Sequence, residues 1–251
     1  MPETSPMEIE FDTVARWTTD AVAELGPDHA IPAACRGSAS PAGLDRLCRD
    51  LRPGMRLGDV GGGTGGPAAY AREQAGVVPV VVDPMPGACR AAARMFGMDA
   101  VVGGGERVPL ATGSLDACWC LGVLCTLDDN DKARLVRELR RVLAPGGPLG
   151  LLVFTADEPR PAGAPDGNRF PTLGRVRELL TDHGFVVDDE VAPDDLPPAP
   201  PSWRERADRV DDLLARRHGD DPRFAEAEEQ SGRLGALMSD GVVRGHLLRA
   251  R

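Results

Sequence analysis

Strand-like and helix-like patterns alternate along residues 55–154. Continuous apolar runs at 77–82 and 149–154 are typical of strands that are buried on both faces of a sheet. Between such runs, apolar residues recur at a spacing of three and four, for example in 131–143, which is typical of an amphipathic helix. Strands that alternate with helices predict an α/β fold built on a doubly wound, mostly parallel sheet.

The residues before this region have helical patterns. Apolar positions up to Leu25 predict a first helix that Gly26-Pro27 ends, and residues 28–40 are predicted to be irregular. Ser40-Pro41 is typical of a helix N-cap followed by proline in the first turn, so a second helix is expected up to Pro53-Gly54. We therefore predict an N-terminal helical cap over residues 1–54.

The residues after the region mix loops, strands and helices. A Gly/Pro-rich loop at 155–171 is followed by a predicted helix capped by Thr172 and by a strand at 185–191. Ser202 is predicted to cap the first of two further helices, and a last strand is predicted at 241–249. Residues 55–251 are thus expected to form the main domain, with a helical insertion at about 202–240.

Composition narrows the class of protein and of partner. The 251 residues are 42% hydrophobic and 27% charged, and they contain no run of about 20 uncharged apolar residues that could span a membrane. The first ten residues lack the basic and apolar segments of a secretion signal, so we expect a cytoplasmic protein. A net charge of −10 disfavours nucleic acid and anionic membranes and favours a small-molecule substrate. Monomer and homodimer both remain open.

Six cysteines are present without CxxC spacing, and in a cytoplasmic chain we expect them to be reduced. Cys118 and Cys120 stand two apart in a predicted strand, so both should face the same side of the sheet. Buried packing is the expected role of free cysteines, and no metal site is predicted.

The segment 57–67 carries the strongest chemical signal. A strand runs into the glycines of Gly61-Gly-Gly-Thr-Gly-Gly66, and a helix starts at once. Glycines let a ligand touch bare backbone, and the following helix N-terminus favours an anionic group. The next strand ends at Asp83, where a carboxylate can accept hydrogen bonds from both hydroxyls of a ribose. This arrangement predicts a nucleoside-containing cofactor.

Asp59 discriminates between two such cofactors. Gly61, Gly63 and Gly66 satisfy the GxGxxG pattern of dinucleotide sites, which alone is weak evidence. A carboxylate beside the glycine turn disfavours a pyrophosphate and favours a ligand with a positive group. S-adenosylmethionine has an ammonium and a sulfonium, so electrostatics favours it over NAD.

The sequence resembles the class I S-adenosylmethionine-dependent methyltransferases, in particular the small-molecule branch related to ubiquinone/menaquinone enzymes. The resemblance lies in four motifs that occur in the family's order, and it is strong over about 55–154. The motifs are Asp59-Val-Gly-Gly-Gly-Thr-Gly65, Asp83-Pro-Met85, Val108-Pro-Leu-Ala-Thr-Gly-Ser-Leu-Asp116 and Arg141-Val-Leu-Ala-Pro-Gly-Gly147. The resemblance implies a seven-stranded sheet whose last strand is antiparallel, with S-adenosylmethionine as cofactor and S-adenosylhomocysteine as by-product.

The resemblance also implies which residues bind the cofactor. The glycine turn would pass under its methionine end, Asp59 would support its ammonium, and Asp83 would bind its ribose. Further contacts would come from residues that border the adenine and the methionine. The implied cofactor residues are Asp59, Gly61, Gly63, Gly65, Asp83, Pro84, Met85, Gly105, Glu106, Cys120 and Leu121.

Two positions depart from the family pattern. Relatives often have an acid at the position of Gly104 that accepts from the adenine amino group, and here only Glu106 is nearby. Relatives also often have Glu-His where Cys125-Thr126 stand, so an acid or base is missing there. His29 and Asp128 are the remaining candidates for a general base. Trp17, Arg36 and Trp203 are candidates for packing in the cap or contacting substrate.

The expected activity is methyl transfer to a small organic acceptor by in-line displacement, in secondary metabolism. No nucleophilic triad is apparent, so positioning and exclusion of water should dominate catalysis. Three alternatives stay open. The chain could bind S-adenosylmethionine and catalyse a cyclisation or rearrangement without methyl transfer, act as a nicotinamide dehydrogenase, or be a non-catalytic module.

Overall fold

The computed structural model describes residues 9–251. The predicted absence of a secretion signal concerns the first ten residues, of which 1–8 lie outside the described part. Among the described residues, every helix is too short or too polar to cross a lipid bilayer.

Seven strands form one sheet in the spatial order β3-β2-β1-β4-β5-β7-β6. They are β1 (Arg56–Val60), β2 (Val78–Asp83), β3 (Asp99–Val102), β4 (Ala117–Leu121), β5 (Leu149–Thr155), β6 (Val187–Val191) and β7 (Arg244–Ala250). Strand β7 runs antiparallel to both of its neighbours, and the other adjacent pairs are parallel. The predicted α/β fold with a mostly parallel seven-stranded sheet and an antiparallel last strand is therefore confirmed.

Nine α-helices surround the sheet within residues 9–251. They are α1 (Ala15–Leu25), α2 (Ala30–Ala34), α3 (Pro41–Cys48), α4 (Gly66–Ala75), α5 (Pro86–Phe96), α6 (Asp129–Val142), α7 (Leu173–Asp182), α8 (Pro201–His218) and α9 (Pro222–Ser239). A π-helical turn, Ile9–Val14, leads into α1. Two predicted caps are confirmed: the hydroxyls of Ser40 and Thr172 accept hydrogen bonds from the N–H groups of Gly43 and Arg175.

The hydrophobic core lies in two layers, one on each face of the sheet. Alternate residues of β4 divide between them: Cys118 and Cys120 face the layer under α6 and α7, whereas Trp119 and Leu121 face the layer under α3 and α4. The predicted shared face of the two cysteines is thus confirmed. Because β1 to β5 are parallel, their carboxyl ends meet at one edge of the sheet. Open α/β sheets bind ligands at this edge.

The N-terminal helices and the late helices pack together as one cap. Trp17 and Val22 of α1, Ala33 of α2, and Val210 and Leu214 of α8 belong to one buried apolar cluster. This packing supports the interpretation of both segments as cap elements, and the division at residue 54 stays a prediction.

Three local predictions were wrong. Residues 28–40 are not irregular throughout, because the 3-10 turn Pro27–His29 leads into α2, whose alanines pack against other helices. Ser202 does not cap α8, which starts one residue earlier and has Pro200 at its N-cap. Helix α6 starts at Asp129, two residues before the predicted start at 131. The cause is the Asp128 carboxylate, which accepts from the N–H of Asp131 at 2.8 Å and so caps the helix.

Candidate functional site

A glycine turn connects β1 to α4 at the carboxyl edge of the sheet. Gly61, Gly63 and Gly65 have φ values of +74°, +53° and +82°, a backbone conformation that favours glycine. The N–H of Gly61 donates to the carbonyl of Val82 at 2.7 Å, which holds the turn against β2. A Cβ atom on Gly63 would meet nothing within 4 Å, so open space borders the turn there.

The carboxylate of Asp83 holds the turn from the end of β2. Its Oδ2 accepts from the N–H of Gly63 at 2.9 Å, and its Oδ1 accepts from the N–H of Met85 at 2.9 Å. Asp83 is 5% exposed, and burial raises its pKa while the two N–H groups oppose that shift. Each oxygen keeps a further lone pair, so the carboxylate can accept two hydroxyl groups of a ligand.

Asp59 is a buried carboxylate with no hydrogen-bond partner among the described residues. It is 1% exposed, and neither Oδ1 nor Oδ2 is paired. Burial first and the nearby Asp83 second raise its pKa to about 7, although the Ala68 N–H, which lies close by but outside hydrogen-bond geometry, partly opposes this. A Cβ atom on Gly62 would lie 2.7 Å from Cγ of Asp59, so the turn passes directly over the carboxylate. An unpaired buried acid is costly, and a cation at this place would remove that cost.

The N-terminal π-helical turn reaches the start of α5, just after Asp83-Pro84-Met85. The carboxylate of Asp12 accepts from the N–H of Gly87. Sequence reasoning missed Asp12, because a lone acid far away along the chain carries no signal that it caps this helix.

The loop after β3 brings an acid to the place where relatives often have one and this chain has Gly104. A Cβ atom on Gly104 would lie 2.7 Å from Cδ of Glu106, so the Glu106 carboxylate occupies the space that a side chain at 104 would take. Gly105 and Glu106 form the first two residues of a 3-10 turn, Gly105–Arg107. Glu106 is exposed there and available to a ligand.

The end of β4 borders the glycine turn. The side chain of Val123 fills the space where Gly61 has no side chain, and the Gly37 carbonyl oxygen lies 3.4 Å from where Gly122 would carry a Cβ. Cys120 and Leu121 therefore end next to both the turn and the N-terminal cap. The thiol of Cys120 is buried, which raises its pKa well above its ordinary value.

Helix α2 touches the glycine turn directly. A Cβ atom on Gly66 would lie 2.5 Å from the carbonyl carbon and oxygen of Ala34 and 2.8 Å from the N atom of Cys35. The hydroxyl of Thr64 donates to the same Ala34 carbonyl at 3.4 Å. This contact joins the cap to the site, and no motif in the sequence signals it.

We expect Gly66→Ala to destabilise the protein. The added methyl group would overlap backbone atoms of α2, and overpacking of this kind costs about 2 kcal/mol. Thermal unfolding should therefore show a midpoint lower by about 6 °C. Gly174→Ala is the matched control, because Gly174 also lies in a first helical turn but has only Thr172 Oγ1, at 3.9 Å, near its Cβ position. Equal midpoints for the two variants would contradict the close contact.

The two candidate bases lie in different surroundings. The Asp128 carboxylate is exposed, and the N–H of Asp131 foremost lowers its pKa, which makes it a weak proton acceptor. His29 is 8% exposed, its Nδ1 lies 3.3 Å from the Gly26 carbonyl oxygen, and its Nε2 has no partner among the described residues. Among residues 9–251 no hydrogen bond joins His29 to the glycine turn, and both roles stay predictions.

The three cap candidates all contact protein side chains. Trp17 stacks on His218 with ring centroids 4.0 Å apart, and Arg36 forms an ion pair with Asp211 of α8. Trp203 meets Tyr70 of α4 edge to face at 5.9 Å. The first two contacts hold parts of the cap together, and the third joins the cap to the main domain. Substrate contact of all three residues stays a prediction.

Comparison with known proteins agrees with this geometry. Residues 58–151 match the family model described as a methyltransferase domain. No curated protein sequence matches the chain significantly.

Solved structures extend the similarity of the fold to almost the whole chain. The [4+2]-cyclase SpnF has 23% identity and a TM-score of 0.65, over 92% of each chain. The cyclopropane synthase MmaA2 from Mycobacterium tuberculosis has 16% identity and a TM-score of 0.67, over 93% of this chain and 96% of that one. Geranyl diphosphate C-methyltransferase from Streptomyces coelicolor A3(2), solved with S-adenosyl-L-homocysteine, has 18% identity and a TM-score of 0.57, over 82% of this chain and 73% of that one. The protein therefore has the Rossmann-like methyltransferase fold, and its residues 58–151 are similar to the methyltransferase domain model.

Proposed function

We propose that this protein binds S-adenosylmethionine and transfers its methyl group to a small organic acceptor. The observation that carries the proposal is the unpaired, buried Asp59 carboxylate directly beneath the glycine turn. A ligand ammonium supplies the charge that Asp59 lacks, whereas a pyrophosphate would add a second negative charge. The methyltransferase domain match and the relatives solved with S-adenosylhomocysteine support the same cofactor.

Further residues fit the remaining groups of the cofactor. The Asp83 carboxylate would accept the two ribose hydroxyls with the lone pairs that Gly63 and Met85 leave free. Glu106 would accept from the adenine amino group, because its carboxylate occupies the space above Gly104. The backbone of Cys120 and Leu121 would border the methionine end.

When bound, the cofactor would supply an electrophilic methyl group on a sulfonium. A lone pair of the acceptor would form the new bond to the methyl carbon, and the sulfur would keep the electron pair of the broken S–C bond. The residues around the site orient the two molecules and exclude water. The buried thiols are unsuited to take the acceptor's proton, because burial raises the pKa of Cys125 to about 12. Where an acceptor must lose a proton, we propose that His29 accepts it, because its Nε2 has no partner among residues 9–251.

Two measurements test the proposal. Calorimetry with S-adenosylhomocysteine should show one site per chain, and NAD should show no binding. Incubation with methyl-labelled S-adenosylmethionine and panels of O-, N-, C- and S-acceptors should give labelled products. A chain that binds NAD but not S-adenosylhomocysteine would refute the cofactor, and cofactor binding with no transfer to any acceptor class would refute the reaction.

A second candidate function is cyclisation or rearrangement promoted by bound S-adenosylmethionine without methyl transfer. Two observations favour it. A cyclase has this fold over nine-tenths of both chains. At the end of β4, within residues 9–251, the titratable side chains are the buried thiols of Cys120 and Cys125, whose raised pKa values make them unsuitable as bases. The mass of the product separates the two functions, because methyl transfer adds one CH₂ to the acceptor and cyclisation leaves its mass unchanged. The ubiquinone/menaquinone branch, a role in secondary metabolism and a cytoplasmic location remain parts of the first proposal.

A further inference from the structure

An apolar cluster covers the carboxyl ends of β4 and β5, next to the glycine turn. Leu121 ends β4, and the Phe154 ring near the end of β5 lies 3.6 Å from where Gly122 would carry a Cβ. Phe170, from the loop that follows β5, and three side chains from α8 and α9 complete this lining. We call the set the acceptor cluster, and its members are Leu121, Phe154, Phe170, Trp203, Leu234 and Leu237.

Buried polar side chains around this cluster already have partners. The Thr155 hydroxyl donates to the Arg244 carbonyl at 3.4 Å, and the Gln230 amide exchanges hydrogen bonds with Asp166 at 2.8 and 3.2 Å. A charged acceptor buried here would find no orphaned partner among these groups, and an unpaired buried charge is costly.

The unpaired buried side-chain atoms of the described chain lie elsewhere. Asp59 faces the proposed cofactor, and Ser114 lies toward the opposite edge of the sheet, where Asp50 is ion-paired with Arg249 at 3.0 Å. Nε2 of His29 is the remaining one, and it can pair with a single neutral polar group. This distribution favours an acceptor with an uncharged apolar body.

Helix α9 covers the cluster although its sequence weakens the helix. Gly232 and Gly235 flank Leu234, and a Cβ atom on either would meet nothing within 4 Å. No close packing requires these glycines, yet each lowers helix stability relative to alanine. The half of α9 that carries Leu234 and Leu237 is therefore a less stable helix than alanines at these two positions would make it.

We propose that the acceptor is an uncharged apolar molecule that binds in the acceptor cluster by displacing Leu234 and Leu237 as this half of α9 unwinds. The proposal rests on the proposed function, because the cluster adjoins the glycine turn that would hold the cofactor. The glycines set how often the site is open.

The test uses the full chain saturated with S-adenosylhomocysteine and the uncharged dye Nile red as a probe. The wild type should show saturable fluorescence, which 1-decanol displaces at least tenfold more effectively than decanoate at neutral pH. Gly232→Ala/Gly235→Ala should bind the dye about 20-fold more weakly, because each alanine stabilises the closed helix about fivefold. Leu237→Ala should bind it at least about 30-fold more tightly, since losing a buried leucine weakens the closed state.

Gly174→Ala is the control, because it adds a methyl group to the exposed face of α7 and should leave dye binding unchanged. Stronger displacement by decanoate would refute the apolar site. It would implicate the guanidinium of Arg169, a residue held near the end of β4 by the hydrogen bond from its backbone N–H to the Cys125 carbonyl. Unsaturable dye binding, or equal affinity of the double glycine variant and the wild type, would also overturn the proposal. Failure to bind S-adenosylhomocysteine would instead count against the proposed function, since it is measured separately by calorimetry.

Discussion

Asp83→Ala should weaken the binding of S-adenosylhomocysteine by about 100-fold, because two charge-assisted hydrogen bonds to the ribose are lost. The same change releases the N–H groups of Gly63 and Met85, so the glycine turn also loses the contact that holds it at the end of β2. Calorimetry of the wild type and the variant at one pH measures the difference directly.

Asp116→Ala provides the matched control for this variant. Asp116 also accepts a hydrogen bond from a backbone N–H, that of Arg56 at 2.7 Å, but it lies at the opposite edge of the sheet. Both variants lose an anchor of the main chain, whereas only Asp83→Ala should lose affinity for the ligand. An unchanged affinity in Asp83→Ala, with the fold intact by circular dichroism, would refute the assignment of the ribose site.

The main domain could be predicted from the sequence because its signals are local. Buried strands read as continuous apolar runs, and Asp83 follows such a run directly, so its place at the carboxyl edge follows from the parallel topology. The glycine turn was equally predictable, because Gly61, Gly63 and Gly65 adopt a backbone conformation that favours this residue.

The cap could not be predicted to the same depth, because its contacts join residues far apart in the chain. Asp12 caps α5 and Arg36 pairs with Asp211, yet none of these residues has neighbours in sequence that indicate the partner. Asp128 shows a related difficulty: an acid at this position suits both a helix cap and a general base, and the hydrogen bond from the Asp131 N–H establishes the cap.

The affinity for S-adenosylhomocysteine should fall about tenfold for each pH unit below pH 7. The free Asp59 carboxyl has a pKa of about 7, raised first by burial and then by Asp83, and only its ionised form can pair with the ligand ammonium. Binding below pH 7 must therefore expel a proton, and between pH 7 and pH 5 the loss should reach about 50-fold, because the carboxyl is already half protonated at pH 7. Calorimetry at pH 5, 6, 7 and 8 measures the slope, and buffers of different ionisation enthalpy report the released proton.

Asp59→Asn tests the origin of that slope. The amide keeps the shape of the side chain without its charge, so the variant should bind weakly at every pH and equal the wild type only near pH 5. The free variant should also be the more stable protein at pH 8. A carboxyl whose pKa is higher in the folded chain than its ordinary 3.8 stabilises the fold at low pH, and that stability is lost as the pH rises toward 7.

These two readouts separate a binding role of Asp59 from a structural one. If Asp59 only supported the turn, Asp59→Asn would lower stability at pH 8 and leave the slope of affinity against pH in place. If it holds the ammonium, the variant gains stability and loses the slope together, because the same unpaired charge causes both effects. A wild-type affinity independent of pH between 5 and 7 would refute Asp59 as the counter-ion and remove the main support for a cationic cofactor.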